Sequence, residues 1–322
     1  MKKLLFKCLS MSLLLAGTVT ITGPCETGTL WAQEDDYVSV SATKNILVNK
    51  KQGTALLEEN VKVVQESTQS TLTSDHLFIK RDPDTKKVSY AKAEGNVHAI
   101  MNKLNDIGVR IRTVDLVCRF AEFDKPKNKA IIKGDVVVES HDFKLVADRV
   151  FYDLKTETGT ITERPGKQVL MTFIKNATPP NAPQPDVMIA PEIVDGAADE
   201  IRFNKPLRKV TFQGQVNFFD HAEQARFTAN KADAYFDIDD DLERIVAYEN
   251  VVITQPKRES RSDRAVFNYN TEIIVLTGNA SVKELNQMEM RSSTITMYMN
   301  EDKGIISGGE EVPVKAKIKV GP

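Results

Sequence analysis

The chain has 322 residues, enough for two ordinary domains or one elongated repeat body. Its formal charge of −2 gives no global field to draw in nucleic acid. With 27% charged and 7% aromatic residues the composition is that of an ordinary soluble surface, and past residue 22 no apolar run is long enough to span a bilayer.

At the N-terminus Lys2, Lys3 and Lys7 precede an apolar run from Leu9 to Val19, followed by polar residues. This is the layout of a secretory signal peptide, assigned to residues 1–32 with cleavage after Ala32. A membrane anchor retained over Leu4 to Ile21 is the competing reading. Cys8 and Cys25 fall in or near this segment, and Pro24 before Cys25 makes a poor lipoprotein signal. Cys118 is then alone in the exported part, so core and ladder must hold the fold without an internal disulfide. It lies inside the strand pattern Leu116 to Phe120 and reads as a small apolar filler.

From residue 42 onward one strand pair recurs. Its first half opens on a polar head with apolar residues two and four places on: Asp75, Asp148, Asp199 and Asp263, with weaker heads at Thr43, Asp115, Asn230 and Ser293. Its second half is a turn followed by a strand beginning Asn60-Val61, Asn96-Val97, Asp135-Val136, Gln168-Val169, Gln215-Val216, Asn250-Val251, Asn279-Ala280 and Glu311-Val312. Head and turn strand lie 16 to 21 residues apart in all eight units, and most head-to-head steps fall at 30 to 40 residues. Such a period marks stacked units that cannot bury their apolar faces singly. The period-2 alternation inside them makes the units β, and no segment beyond the leader has amphipathic helical spacing. The predicted fold class is all-β.

One head-to-head step, Asp148 to Asp199, is too long at 51 residues. The excess holds Pro179, Pro180, Pro183, Pro185 and Pro191, which remove ladder donors. The expected organisation is therefore a first repeat region over 42–175, a Pro-rich linker over 176–196 and a second repeat region over 197–314, with residues 33 to 41 as a lead.

Little in the chain suggests chemistry. His76, His98, His141 and His221 have no metal-ligand spacing, and no cofactor is called for. There is no nucleophile elbow and no phosphate loop. Asp237, Asp239, Asp240 and Asp241 lack the Gly and terminal Glu of a calcium loop and read as a hairpin tip. The head aspartates recur once per unit, which a structural role at a strand start predicts. Three basic clusters stand out: Lys125, Lys127 and Lys129; Arg202, Lys205, Arg208 and Lys209; and Lys257, Arg258, Arg261 and Arg264. They read as solvated faces, and without interleaved exposed aromatics they do not call for nucleic acid.

The segments Ala147-Asp148-Arg149-Val150-Phe151-Tyr152-Asp153, Ser262-Asp263-Arg264-Ala265-Val266-Phe267, Ala93-Glu94-Gly95-Asn96-Val97 and Leu276-Thr277-Gly278-Asn279-Ala280 resemble the OstA-like repeats of the LptA/LptC family and of the N-terminal domain of LptD. The likeness covers about residues 42 to 314. It implies a β-jellyroll or taco-like fold of antiparallel strand pairs and a periplasmic, non-enzymatic role in carrying lipopolysaccharide between membranes. It also implies other lipopolysaccharide-transport proteins, or another copy, as partners through edge strands. Alternating apolar residues would give such a sheet an apolar interior. At about 0.8 kcal/mol per methylene, burying a 12-carbon chain gains roughly 10 kcal/mol against water. The candidate lipid-facing residues are Leu77, Ile79, Val97, Val136, Val150, Tyr152, Ile201, Phe203, Val216, Phe218, Val251, Ala265 and Phe267; any of them could equally be core filler. The N-terminal edge, Val38 to Ala42, has neither charge nor proline and is the expected docking edge. A structural adaptor that binds proteins without lipid is the alternative function, and a hydrolase hidden in the sheet is the third.

Overall fold

In the computed structural model the described residues are 18–23, 26–29, 37–104, 110–175, 192–238, 242–268, 270–284, 288–298, 303–307 and 314–318. They contain strands and turns and no helix, so the all-β expectation holds. The chain divides into two compact units at Arg164/Pro165. The expected linker at 176–196 lies outside the described residues except for its last five, as does most of the expected signal peptide.

In the N-terminal unit the strands are β1 (Thr18–Gly23), β2 (Glu26–Thr29), β3 (Tyr37–Ser41), β4 (Asn45–Asn49), β5 (Thr54–Gln65), β6 (Ser70–Arg81), β7 (Val88–Leu104), β8 (Arg110–Asp124), β9 (Lys129–Ser140), β10 (Phe143–Asp153) and β11 (Thr158–Thr162). From β5 to β11 each strand pairs antiparallel with the next. The first long strand, β5, takes two short partners on its other side: β3 along Lys62 to Gln65 and β4 along Thr54 to Glu58. The expected docking edge is not open in the full chain, because β1 pairs in parallel with β3, Val40 facing Ile21.

The C-terminal unit repeats the plan with β12 (Val169–Lys175), β13 (Glu192–Ala198), β14 (Glu200–Asn204), β15 (Lys209–Asp220), β16 (Ala225–Phe236), β17 (Leu242–Gln255), β18 (Arg258–Asn268), β19 (Ile273–Glu284), β20 (Met288–Tyr298), β21 (Lys303–Ser307) and β22 (Lys315–Ile318). Long antiparallel strands run from β15 to β20. Two short strands flank each end, β13 and β14 on β15, and β21 and β22 on β20.

The long strands bend. Along β6 the buried residues are Ser70, Leu72 and Ser74, then Leu77, Ile79 and Arg81, so one step is three residues instead of two. Along β5 they are Ala55 and Leu57, then Val61 and Val63, a step of four. The same step of three recurs at Cys118/Ala121, Ala147/Val150, Ala229/Ala232, Ser262/Ala265 and Ser292/Ile295, and the step of four at Ala93/Val97, Ile132/Val136, Phe212/Val216, Ala247/Val251 and Leu276/Ala280. The convex side of a bend is longer than the concave side, so extra residues accumulate outside while the inner face stays apolar. These are bulges in register across the sheet, and the pairing shifts at each of them.

Candidate functional site

At every four-residue step two consecutive residues are left-handed: Glu59-Asn60, Gly95-Asn96, Gly134-Asp135, Gly214-Gln215, Glu249-Asn250 and Gly278-Asn279. Gly adopts this conformation without strain and Asn tolerates it, which is why the Gly-Asn signature marks the corner. The heads on the neighbouring strands clamp these corners. The Asn96 side-chain amide donates to Asp75 at 3.0 Å and that of Asn279 to Asp263 at 2.8 Å. Asn60 donates to Thr43 Oγ1 at 3.2 Å, and that hydroxyl donates to the Glu59 carbonyl. Gln168 reaches both Asp199 and the Gln215 carbonyl. Asp75, Asp199 and Asp263 thus accept from side chains of the turn strands, and Asp148 accepts from Arg164. The turn strand at Glu311-Val312 lies outside the described residues.

One head is misplaced by the sequence spacing. In β8 the residue at the bend is Arg119, not Asp115: Arg119 packs where a Cβ on Gly134 would fall, at 2.9 Å, and pairs with Asp135. Asp115 lies further along the outer face and contacts His98 at 2.9 Å. Arg164 bridges Asp135 and Asp148. Its hydrogen bond, opposed by desolvation and helped by the Arg119 charge, holds the Asp135 carboxyl below the usual carboxylate range.

Inside the bend lies a line of buried residues that alternate in size. The residue before each head is small: Ser74, Cys118 and Ala147 in the N-terminal unit, and Ala198, Ala229, Ser262 and Ser292 in the C-terminal one. The residue after each corner is Val61, Val97, Val136, Val216, Val251 and, last, Ala280, and Val169, which opens β12, is likewise buried and pairs with Ala198. Two arms closing on a vertex leave room for little else. Sequence reasoning missed the small residues, although a small residue before each polar head is visible in the chain. Burial pushes the Cys118 thiol up to about 11, as for an inert filler.

The two arms face one another across this line. In the C-terminal unit Val251 and Val282, on one side of the bend, pack in a single cluster with Leu276, Ile295 and Met297 on the other, and Phe227, Ile253, Phe267 and Met290 lie half-buried against it. At the start of β18 the Arg258 guanidinium reaches the Met297 sulfur of β20 at 3.9 Å. Phe218 stacks edge-on to Phe212 at 5.2 Å, and its ring sits where a Cβ on Gly196 would be, at 2.6 Å. In the N-terminal unit Arg81 ends the inner row of β6, 9% exposed, donating to the Lys86 carbonyl at 2.6 Å; burial lowers its pKa to about 10.

Each predicted site residue faces this interior in its own unit. Val97, Val136, Val216 and Val251 stand on the vertex line, and Leu77, Ile79, Val150, Ile201, Phe203 and Ala265 are buried on the arms. Tyr152, Phe218 and Phe267 are half-buried. The basic clusters do not stay together as cationic patches: Lys127 pairs with Asp124 at 3.0 Å, Lys129 with Glu122 at 3.5 Å, Arg261 with Glu259 at 2.7 Å, and Arg264 lies over the Tyr248 ring. Among the described residues no three His, Cys, Asp or Glu side chains converge to hold a metal ion. The interior offers apolar contact and a few hydroxyls, the equipment for holding an apolar ligand.

A family model described as the LptA/(LptD N-terminal domain) LPS transport protein matches residues 39–158 and 195–303, more than half of the chain. Among solved structures, the chain is similar to LptH from Pseudomonas aeruginosa, described as the LptA-homologous periplasmic component of the conserved lipopolysaccharide transport device. That match has 15% identity and a TM-score of 0.32, covering 48% of this chain and 95% of that one. Comparison with curated protein sequences gave no match.

Proposed function

Because the chain belongs to the LptA and LptD N-terminal-domain family of lipopolysaccharide transport proteins, we propose that it is a non-enzymatic periplasmic component that holds the acyl chains of lipopolysaccharide in the apolar interior of its bent sheets. The observation that carries this reading is the pair of facing inner surfaces, apolar along both arms and edged by the half-buried Phe227, Phe267 and Met290. Acyl chains entering between the arms would displace water from those side chains, a gain of about 25 cal/mol per Å² covered. Candidate contacts are Leu77, Ile79, Val97, Val136, Val150 and Tyr152 in one unit, and Ile201, Phe203, Val216, Phe218, Val251, Ala265 and Phe267 in the other.

In this reading, repeat regions over 42–175 and 197–314 are joined by the Pro-rich 176–196, and the chain is exported by the leader at residues 1–32 or anchored by it in the inner membrane. Partners are other transport proteins, or a second copy, added to a terminal strand by backbone pairing. The test is to purify the exported chain from its native envelope and assay for bound lipopolysaccharide. Stoichiometric lipid, displaced by added acylated lipid and not by its deacylated core, is expected. A lipid-free protein that still captures transport partners would instead make it an adaptor.

A further inference from the structure

Three serines stand on the vertex lines. Ser74 donates to the His76 carbonyl at 3.0 Å, and Ser292 donates to the Ser307 carbonyl. Ser262, 6% exposed on β18, has a buried Oγ with no hydrogen-bond partner among the described residues. An unpaired buried hydroxyl loses its water without compensation, so its position calls for a reason.

A second observation falls at the same place. The residue after the corner is valine at every described vertex position but one, and the exception, Ala280, lies in the bulge that faces Ser262 and Asp263 between the pairs Arg261–Ser281 and Arg264–Thr277. On the other side Ser262 faces Val251. Two methyl groups are therefore missing beside the unpaired hydroxyl. The surrounding inner residues, Ala229, Ala247 and Ala265, are also small, and the half-buried Phe267 and Ile253 lie on the two arms above. Small side chains, Ser262 and Ala280, thus stand on adjacent strands where the vertex carries its unpaired polar atom.

We propose that Ser262 Oγ hydrogen-bonds an oxygen carried on the acyl chain of the bound lipid, a hydroxyl or ester group, so that the C-terminal unit selects oxygenated chains over plain ones. An unsubstituted chain would leave the hydroxyl buried and unpaired, as in the ligand-free protein, whereas a chain oxygen at this depth restores the lost bond. This inference rests on the interior holding acyl chains, and its test separates the two.

The full chain is titrated with β-hydroxymyristic acid and with myristic acid, alongside Ser262→Ala. The expected result is that both acids bind the wild type, the hydroxy acid about fivefold more tightly, the weight of one net hydrogen bond. In Ser262→Ala that preference should vanish while binding of the plain acid persists. The variant should also be as heat-stable as the wild type or more so without ligand, since it removes an unsatisfied group. Equal binding of the two acids by the wild type, or an unchanged preference in the variant, overturns the role of Ser262. So does a drop in ligand-free stability, which would reveal a structural bond. Failure of both acids to bind would instead reject the acyl-holding interior, and the inference with it.

Discussion

Gly95 and Gly53 both have positive φ, +72° and +63°, yet they do different work. A Cβ at Gly53 would meet nothing nearer than 3.6 Å, whereas one at Gly95 would run into the Asp75 carboxylate that clamps the corner. Gly53→Ala should therefore cost only the left-handed strain, about 1 kcal/mol. Gly95→Ala should cost about 3 kcal/mol, because the head must also move. Denaturant unfolding of the two variants checks this; equal losses would mean that the clamp is not tight. The Arg164–Asp135 contact is exposed and contributes little to stability, but it can be read by titration. The depressed Asp135 pKa means that its ion pairing is complete above the ordinary carboxylate range and is lost as pH falls through the lower folded value. Arg164→Ala should move the Asp135 carboxyl titration, followed by carbon NMR, upward toward the ordinary carboxylate pKa. No movement would place the source of the shift elsewhere.

The strands carry two superposed signals, and only one is ordinary. Period-2 alternation and the Gly-Asn corners are legible in the chain and lead directly to antiparallel pairs. The bends are harder to see, because they are phase slips of one or two residues inside otherwise regular alternation. That is why Asp115 looks like a head: it has the right spacing, but the small residue that must occupy the inner vertex is Cys118, so the bend falls at Arg119. Had the small residue been required in the pattern, the sequence alone would have chosen Arg119. The edge strand β3 illustrates a different limit. Val38 to Ala42 read as an open edge, whereas β1, inside the segment expected to be a signal peptide, pairs with it. In a chain without residues 1–32 those backbone groups would lack the β1 partner. A chain beginning at Gln33 should accordingly self-associate or bind a transport partner more strongly than the full chain, as sedimentation would show. Identical association would remove β3 as the docking edge.

At the scale of the whole molecule, the Pro-rich 176–191 offers little apolar surface to bury, so limited proteolysis should divide the chain there, with the two pieces held together by the pairing of β12 with β13. Cleavage distributed evenly along the chain would contradict that division. The candidate site was legible as a face and not as a site. Period 2 told which residues point inward, but whether an inward residue fills the core or lines a passage depends on how closely the arms approach. Alternation alone could not separate the buried Val136 from the half-buried Phe267, since both obey the same pattern. The central claim, that the interior and not the outer face meets the lipid, is tested most directly by a photo-crosslinking residue at Phe267 compared with one at its neighbour Val266 on the opposite face of β18. In cells making lipopolysaccharide, the Phe267 probe should capture the lipid and the Val266 probe should not. Equal capture from both positions, or none from Phe267, would contradict the account.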